Sequence, residues 1–154
     1  MFPKDLWDVI EKECDFCDIV AFAQAGRYRY ELASWLKEFH FSAVTNPQWL
    51  VWIEENGFNL TRVTRTLYNN ACIHNRLDMI QWLHEQPRFS LKHQDIIGIL
   101  RVCICKGRYD PFMTLWKLYE NVILCDKTTI LPIFMKDATR NSRLEIATFL
   151  LQFQ

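Results

Sequence analysis

The sequence predicts an all-α protein, with an N-terminal helical module over residues 1–37 and a short helix–turn–helix solenoid over residues 38–154. Three observations lead there. Apolar residues make up 50% of the chain and aromatics 14%, enough to expect a packed core rather than a disordered chain. Beyond residue 38, one layout of apolar and turn residues returns at intervals near 33, the spacing of stacked helix pairs. The first 37 residues carry apolar stripes at helical spacing but do not share that layout.

The N-terminal elements come first. Pro3 sits where a first helical turn starts, and Leu6, Val9 and Ile10, with Trp7 beside them, form one amphipathic stripe. The break "CDFCD" follows, with Asp15 and Asp18 able to cap the next helix. Ile19, Phe22 and Ala23 then mark a second stripe, and Tyr28, Leu32 and Trp35 a third. The order "FPKDLWDVI", then "DFCDIVAFAQAGRYRYEL", resembles an F-box, with Asp18-Ile19-Val20 on its Asp-Leu-Leu position. That resemblance implies docking on the Skp-type adaptor of a cullin ubiquitin ligase. By position it implies an adaptor-facing set of Phe2, Pro3, Leu6, Trp7, Val9, Ile10, Ile19 and Val20. The competing reading is an N-terminal helical cap over the first repeat.

The repeat is legible in four segments: "NPQWLVWIEENG" (46–57), "MIQWLHEQPR" (79–88), "FMTLWKLYEN" (112–121) and "IATFLLQFQ" (146–154). Leu50, Leu83, Trp116 and Leu150 fall at intervals of 33, 33 and 34, and Trp49, Trp82, Leu115 and Phe149 keep the same step. Upstream, "NRLD" at 75–78 returns as "GRYD" at 107–110 and "SRLE" at 142–145, each preceded by a small residue: Ala71, Cys103 and Ala138. The first helix of a unit is expected over Val63–His74, with Val63, Leu67 and Ala71 on one stripe; the small residues admit a neighbouring helix closely. Asn75, Gly107 and Ser142 end that helix, where a left-handed residue is common. Asp78, Asp110 and Glu145 follow at the start of the second helix, whose free N–H groups favour a carboxylate. Pro111 and Pro132 are both expected near helix starts. The second helix is expected to bury Ile80 and Leu83, with Met79 and Trp82 on its flank.

Period, small-residue position and turn together resemble divergent ankyrin repeats of the kind found in large DNA viruses of protists, over about residues 38–154. The family's usual T-P-L-H-x-A opening is absent, and other helical solenoids, the tetratricopeptide type among them, have similar periods. Taken with the F-box-like segment, the resemblance implies a viral adaptor that brings a host target protein to a ubiquitin ligase, acting in host cytoplasm or nucleus. The alternative is an interaction or assembly protein whose N-terminal helices only cap the solenoid.

Chemistry is not expected. No glycine-rich phosphate loop, no H-E-x-x-H and no G-x-S-x-G occurs, so neither catalytic nor metal-binding residues nor a cofactor are assigned. His40, His74, His84 and His93 occur singly, His74 and His84 reading as surface or capping residues. Trp49, Trp52 and Ile53 read as core rather than as an aromatic cage. The cysteines at 14, 17, 72, 103, 105 and 125 read as small buried residues; Cys14 and Cys17 have metal spacing without a second ligand pair. The acidic opening "MFPKDLWDVIEKECDF" does not suit a signal peptide, and no run of 18 apolar residues suits a membrane span.

Formal net charge is zero, so no global field favours nucleic acid. Charge is nevertheless uneven: residues 88–143 hold ten Lys/Arg against five Asp/Glu. Arg76, Arg108 and Arg143 occupy the same turn of successive units, with Lys106 and Arg140 nearby, so stacking would draw them into a basic edge for an acidic partner. The blander reading has each arginine supporting its own turn. Finally, "EIATFLLQFQ" ends without a charged outer helix. Phe149, Leu150, Leu151 and Phe153 are therefore expected to form an uncovered face, met by a second copy in a homodimer or by a folded-back segment.

Overall fold

The computed structural model describes residues 47–55 and 59–153, with the side chains of Trp49, Trp52 and Ile53 excepted. The set Phe2, Pro3, Leu6, Trp7, Val9, Ile10, Ile19 and Val20 lies outside the described residues, as do Cys14, Cys17 and His40. Every regular element among the described residues is helical, and the all-α class stands. The order is α1 (Pro47–Glu55), a 3-10 turn (Leu60–Val63), α2 (Thr64–Ile73), α3 (Leu77–Glu85), a 3-10 turn (Pro87–Phe89), α4 (His93–Lys106), α5 (Tyr109–Cys125), α6 (Lys127–Arg140) and α7 (Leu144–Leu151).

The helices pair as three hairpins, α2/α3, α4/α5 and α6/α7. The first helices pack α2 on α4 on α6, and α3 packs on α5, giving two layers of stacked helices. The second layer continues through rings: Phe149 of α7 meets Trp116 of α5 edge-on at 5.2 Å, and Phe153 lies 5.0 Å from the same indole. Leu67, Ile80, Leu83, Ile99, Leu100, Leu115, Phe134 and Leu150 fill the space between the layers, all nearly or fully buried. Each such aliphatic side chain stabilises the fold by roughly 1.5–3 kcal/mol, so stacking rather than helix propensity holds these short helices.

The three hairpin turns are built alike. Asn75, Gly107 and Ser142 have φ of 56°, 66° and 56°, the left-handed conformation expected from sequence. The amide of the following arginine donates back five residues in each case: Arg76 to Ala71 O, Arg108 to Cys103 O and Arg143 to Ala138 O, all at 2.8 Å. The left-handed residue itself donates to Cys72 O, Ile104 O or Thr139 O. These paired bonds satisfy carbonyls that a helix end leaves open. The small residues Ala71, Cys103 and Ala138 are all buried at the base of the turns, and the buried Cys103 and Cys72 thiols interact across the α2–α4 junction. That interaction, and then burial, push the Cys72 thiol well above its ordinary range.

The turns also correct the register. They lie 32 and 35 residues apart (Arg76, Arg108, Arg143), so the counterpart of Leu83 and Leu150 in the middle unit is Leu115, not Trp116. Both are buried, which is why an apolar count alone took the neighbouring position. Other expectations shift too. Met79 is 2% exposed and belongs to the core rather than the flank. Pro111 lies in the first turn of α5, where its missing N–H leaves no gap. Pro132 falls inside α6, five residues past its start, and costs that helix one ladder bond. Cys72 and Cys103 are buried as expected, whereas Cys105 and Cys125, each near a helix end, are exposed.

Inter-unit connections contain no strand among the described residues: Gln86–Lys92 holds a 3-10 turn whose Phe89 is fully buried, and Asp126 alone joins α5 to α6. Residue Tyr119 leaves helical dihedrals (φ −122°, ψ 17°) inside the long α5. The break coincides with a tie between units: Tyr119 OH lies 3.3 Å from Tyr68 OH of α2 and 3.1 Å from His84 Nδ1 of α3. Burial raises the pKa of both phenols, so the tie is made by neutral hydroxyls.

Candidate functional site

The hairpin turns set the geometry of the candidate basic edge. Arg76, Arg108 and Arg143 share nearly one backbone conformation, with φ/ψ of −94/82°, −95/85° and −93/73°. Each carbonyl accepts the first bond of the following helix, from Ile80, Phe112 and Ala147. Three arginines therefore leave equivalent points of equivalent turns, as the spacing predicts.

Their side chains do different things. Arg76 chelates Asp78 two residues on, Nε to Oδ1 at 3.0 Å and Nη2 to Oδ2 at 2.7 Å. That bond holds the Asp78 carboxyl below its usual range, helped by the N–H of Met79, and raises Arg76. Arg143 reaches back to the preceding unit, where Nη2 donates to Cys105 O at 3.1 Å near the C-terminal end of α4. A cation there complements the helix dipole. Arg108 is exposed and makes no such contact among the described residues. Lys106 and Arg140 are likewise exposed at the ends of α4 and α6. Two of the five residues thus support turns, and Lys106, Arg108 and Arg140 are exposed without an ion pair among the described residues.

A shallow groove of about 260 Å³ runs between the second and third turns, lined by Gly107, Tyr109, Ser142, Arg143, Leu144 and Glu145. A second shallow pocket, which shares Tyr109, Leu144 and Glu145 with it, is lined also by Thr148 and Gln152 of the α7 end. Acids at Asp78, Asp110 and Glu145 sit in first turns as expected, so the edge alternates cation and carboxylate rather than presenting cations alone.

The expected terminal face divides in two. Leu150 is fully buried, and Phe149 and Phe153 are half-buried against Trp116, so these three face α5 rather than a second copy. Leu151 is 57% exposed, and Leu144, 78% exposed and seven residues earlier, shares its side of α7. No apolar contrast in "LEIATFLL" marks which side turns inward, and the leucine at 144 was missed for that reason.

His74 ends α2 and is exposed, as read from sequence; His84 is exposed but tied to Tyr119. Among the described residues no cluster of His, Cys, Asp or Glu is arranged to hold a metal ion, and no helix is long and apolar enough to cross a membrane. Comparison of the chain with known protein families, with curated proteins and with solved structures finds no match.

Proposed function

We propose that this chain is a non-enzymatic protein–protein interaction protein. Its helical solenoid, read as ankyrin-like, holds a target; its F-box-like residues 1–37 engage a Skp-type adaptor of a cullin ubiquitin ligase. In this reading it is a viral substrate adaptor acting on host proteins. The observation that carries the binding role is the set of three matching left-handed turns, each followed by an arginine (Arg76, Arg108, Arg143), which repeats one scaffold while the contacts of the arginine it displays differ from unit to unit. Repetition of a scaffold with variation at its edge suits recognition of an extended partner.

The test is capture of a purified host Skp-type adaptor by the full chain, with Leu6→Asp and Trp7→Ala beside it and circular dichroism as the folding control. Capture lost in folded variants supports the adaptor role. No capture by the folded parent chain leaves residues 1–37 as a cap and the solenoid as a binding module.

A further inference from the structure

The end of the stack repeats, in open form, a surface that is closed inside it. The structural register between the second and third hairpins is the 35 residues from Arg108 to Arg143. In the second hairpin, α4 meets α6 through Arg101, whose Nε donates to Asp137 Oδ2 at 2.6 Å, and through Cys105, whose sulfur accepts from Asn141. The same register places Lys136 and Arg140 at these two positions of α6. Both are exposed, and Ile133 beside them is 37% exposed. In the second layer, α5 receives α7 on Phe112 and Trp116. Their counterparts on α7 are Ala147 and Leu151, with Leu144 standing for Tyr109.

Charge at the two junctions of the first layer follows one direction, the reverse of the Arg88–Glu54 pair that joins the turn after α3 to the earlier α1 at 2.7 Å. Arg65 of α2 pairs with Asp95 of α4 at 3.7 Å, and Arg101 of α4 pairs with Asp137 of α6 at 2.6 Å. Each time the cation belongs to the earlier unit and the carboxylate to the later one. Lys136 and Arg140 continue the cation side, and neither meets an acid among the described residues.

The geometry points to a docking surface formed by Leu144, Ala147 and Leu151 of α7 with Ile133, Lys136 and Arg140 of α6. Its occupant is an amphipathic helix of a partner protein that sets an apolar stripe on α7 and acidic residues against α6. A second copy fits the charges worse, because the named patch carries two cations, Lys136 and Arg140, and no carboxylate, so a twofold arrangement would oppose like charges. This rests on the solenoid part of the proposed function and not on the F-box-like segment.

The full chain is titrated with two labelled, stapled helical peptides that share a Leu/Phe stripe and carry either Glu or Lys on its flank, read by fluorescence anisotropy. The Glu peptide is expected to bind about tenfold or more tighter than the Lys peptide. Lys136→Glu with Arg140→Glu is expected to reverse that preference. Leu144→Asp and Leu151→Asp are expected to abolish binding of both peptides; these residues are exposed, and circular dichroism checks that the fold persists. Equal affinity for the two peptides, or binding that survives Leu144→Asp and Leu151→Asp, overturns the proposal. So does a dimer by light scattering that Leu151→Asp splits, since a second copy is then the occupant. Capture of the Skp-type adaptor is scored separately and moves with Leu6 and Trp7 alone.

Discussion

The guanidinium of Arg143 lies across Gly107 of the preceding turn, so closely that a Cβ at Gly107 would come within 2.7 Å of Cζ of Arg143. Gly107 also has a φ of 66°, and the two demands coincide on one residue. Left-handed backbone costs an L-residue with a side chain about 1–2 kcal/mol. Gly107→Ala is therefore expected to lower stability by about 1–2 kcal/mol, measured by urea unfolding. Ser142→Gly, at an equivalent φ of 56°, is expected to raise it by roughly 0.5–1 kcal/mol, and Asn75→Gly by less, because Asn tolerates this region better. A neutral Gly107→Ala would count against the turn argument.

Arg143 binds a carbonyl of the neighbouring unit while Arg108, at the equivalent position, does not. Arg143→Ala is expected to lose about 1 kcal/mol and Arg108→Ala less than roughly 0.5 kcal/mol. If the two variants unfold at the same urea concentration, Arg143 does not couple the turns.

The register of α7 has a direct test. Leu150 is fully buried and Leu151 is 57% exposed. Leu150→Ala is expected to cost about 2–5 kcal/mol through lost burial and the cavity left behind. Leu151→Ala should stay within about 0.5 kcal/mol in the isolated chain. Reversed magnitudes would place the wrong side of α7 against α5.

The Arg76–Asp78 pair makes stability depend on pH in one direction. Its folded carboxyl titrates below the unfolded value of about 3.9, so the contribution is present above that pH and fades as pH falls through the folded value. Asp78 is 58% exposed at its side chain, and the contribution is at most about 1 kcal/mol. Asp78→Asn should unfold at lower urea than the parent at pH 7, with the gap closing as pH falls below the unfolded carboxyl's range. A gap unchanged at acid pH would assign the loss to something other than the charge.

Pro132 interrupts the bond ladder of α6 on an exposed side of the helix. Pro132→Ala restores the amide and is expected to raise the melting temperature, by an amount equivalent to about 1–3 kcal/mol. A lower melting temperature would show that the ring itself packs favourably.

Much of the solenoid was legible before any coordinates. The turns at Asn75, Gly107 and Ser142 are six-residue affairs, closed by backbone bonds that span only the turn itself, so residue type and spacing sufficed to place them. Acids at Asp78, Asp110 and Glu145 were legible for the same reason, since a helix N-terminus acts over one turn. The candidate basic edge was legible only as positions. Arg76 closes on Asp78 within its own turn, whereas whether Arg143 meets Cys105 or Arg108 meets nothing depends on which carbonyl the neighbouring unit brings within reach.

The chain by itself thus determined its helical class, its repeated hairpins and the conformation of their turns, because each rests on interactions between residues close in sequence. Only the tertiary structure decided that Leu115 rather than Trp116 is the partner of Leu83, that Phe149 and Phe153 turn inward, and that Leu144, Leu151, Lys136 and Arg140 stand open at the end of the stack. Neighbouring residues on a helix point about 100° apart, and a helix apolar on several sides satisfies the local pattern in more than one rotation. The choice among rotations is made by the volume and charge of the next layer.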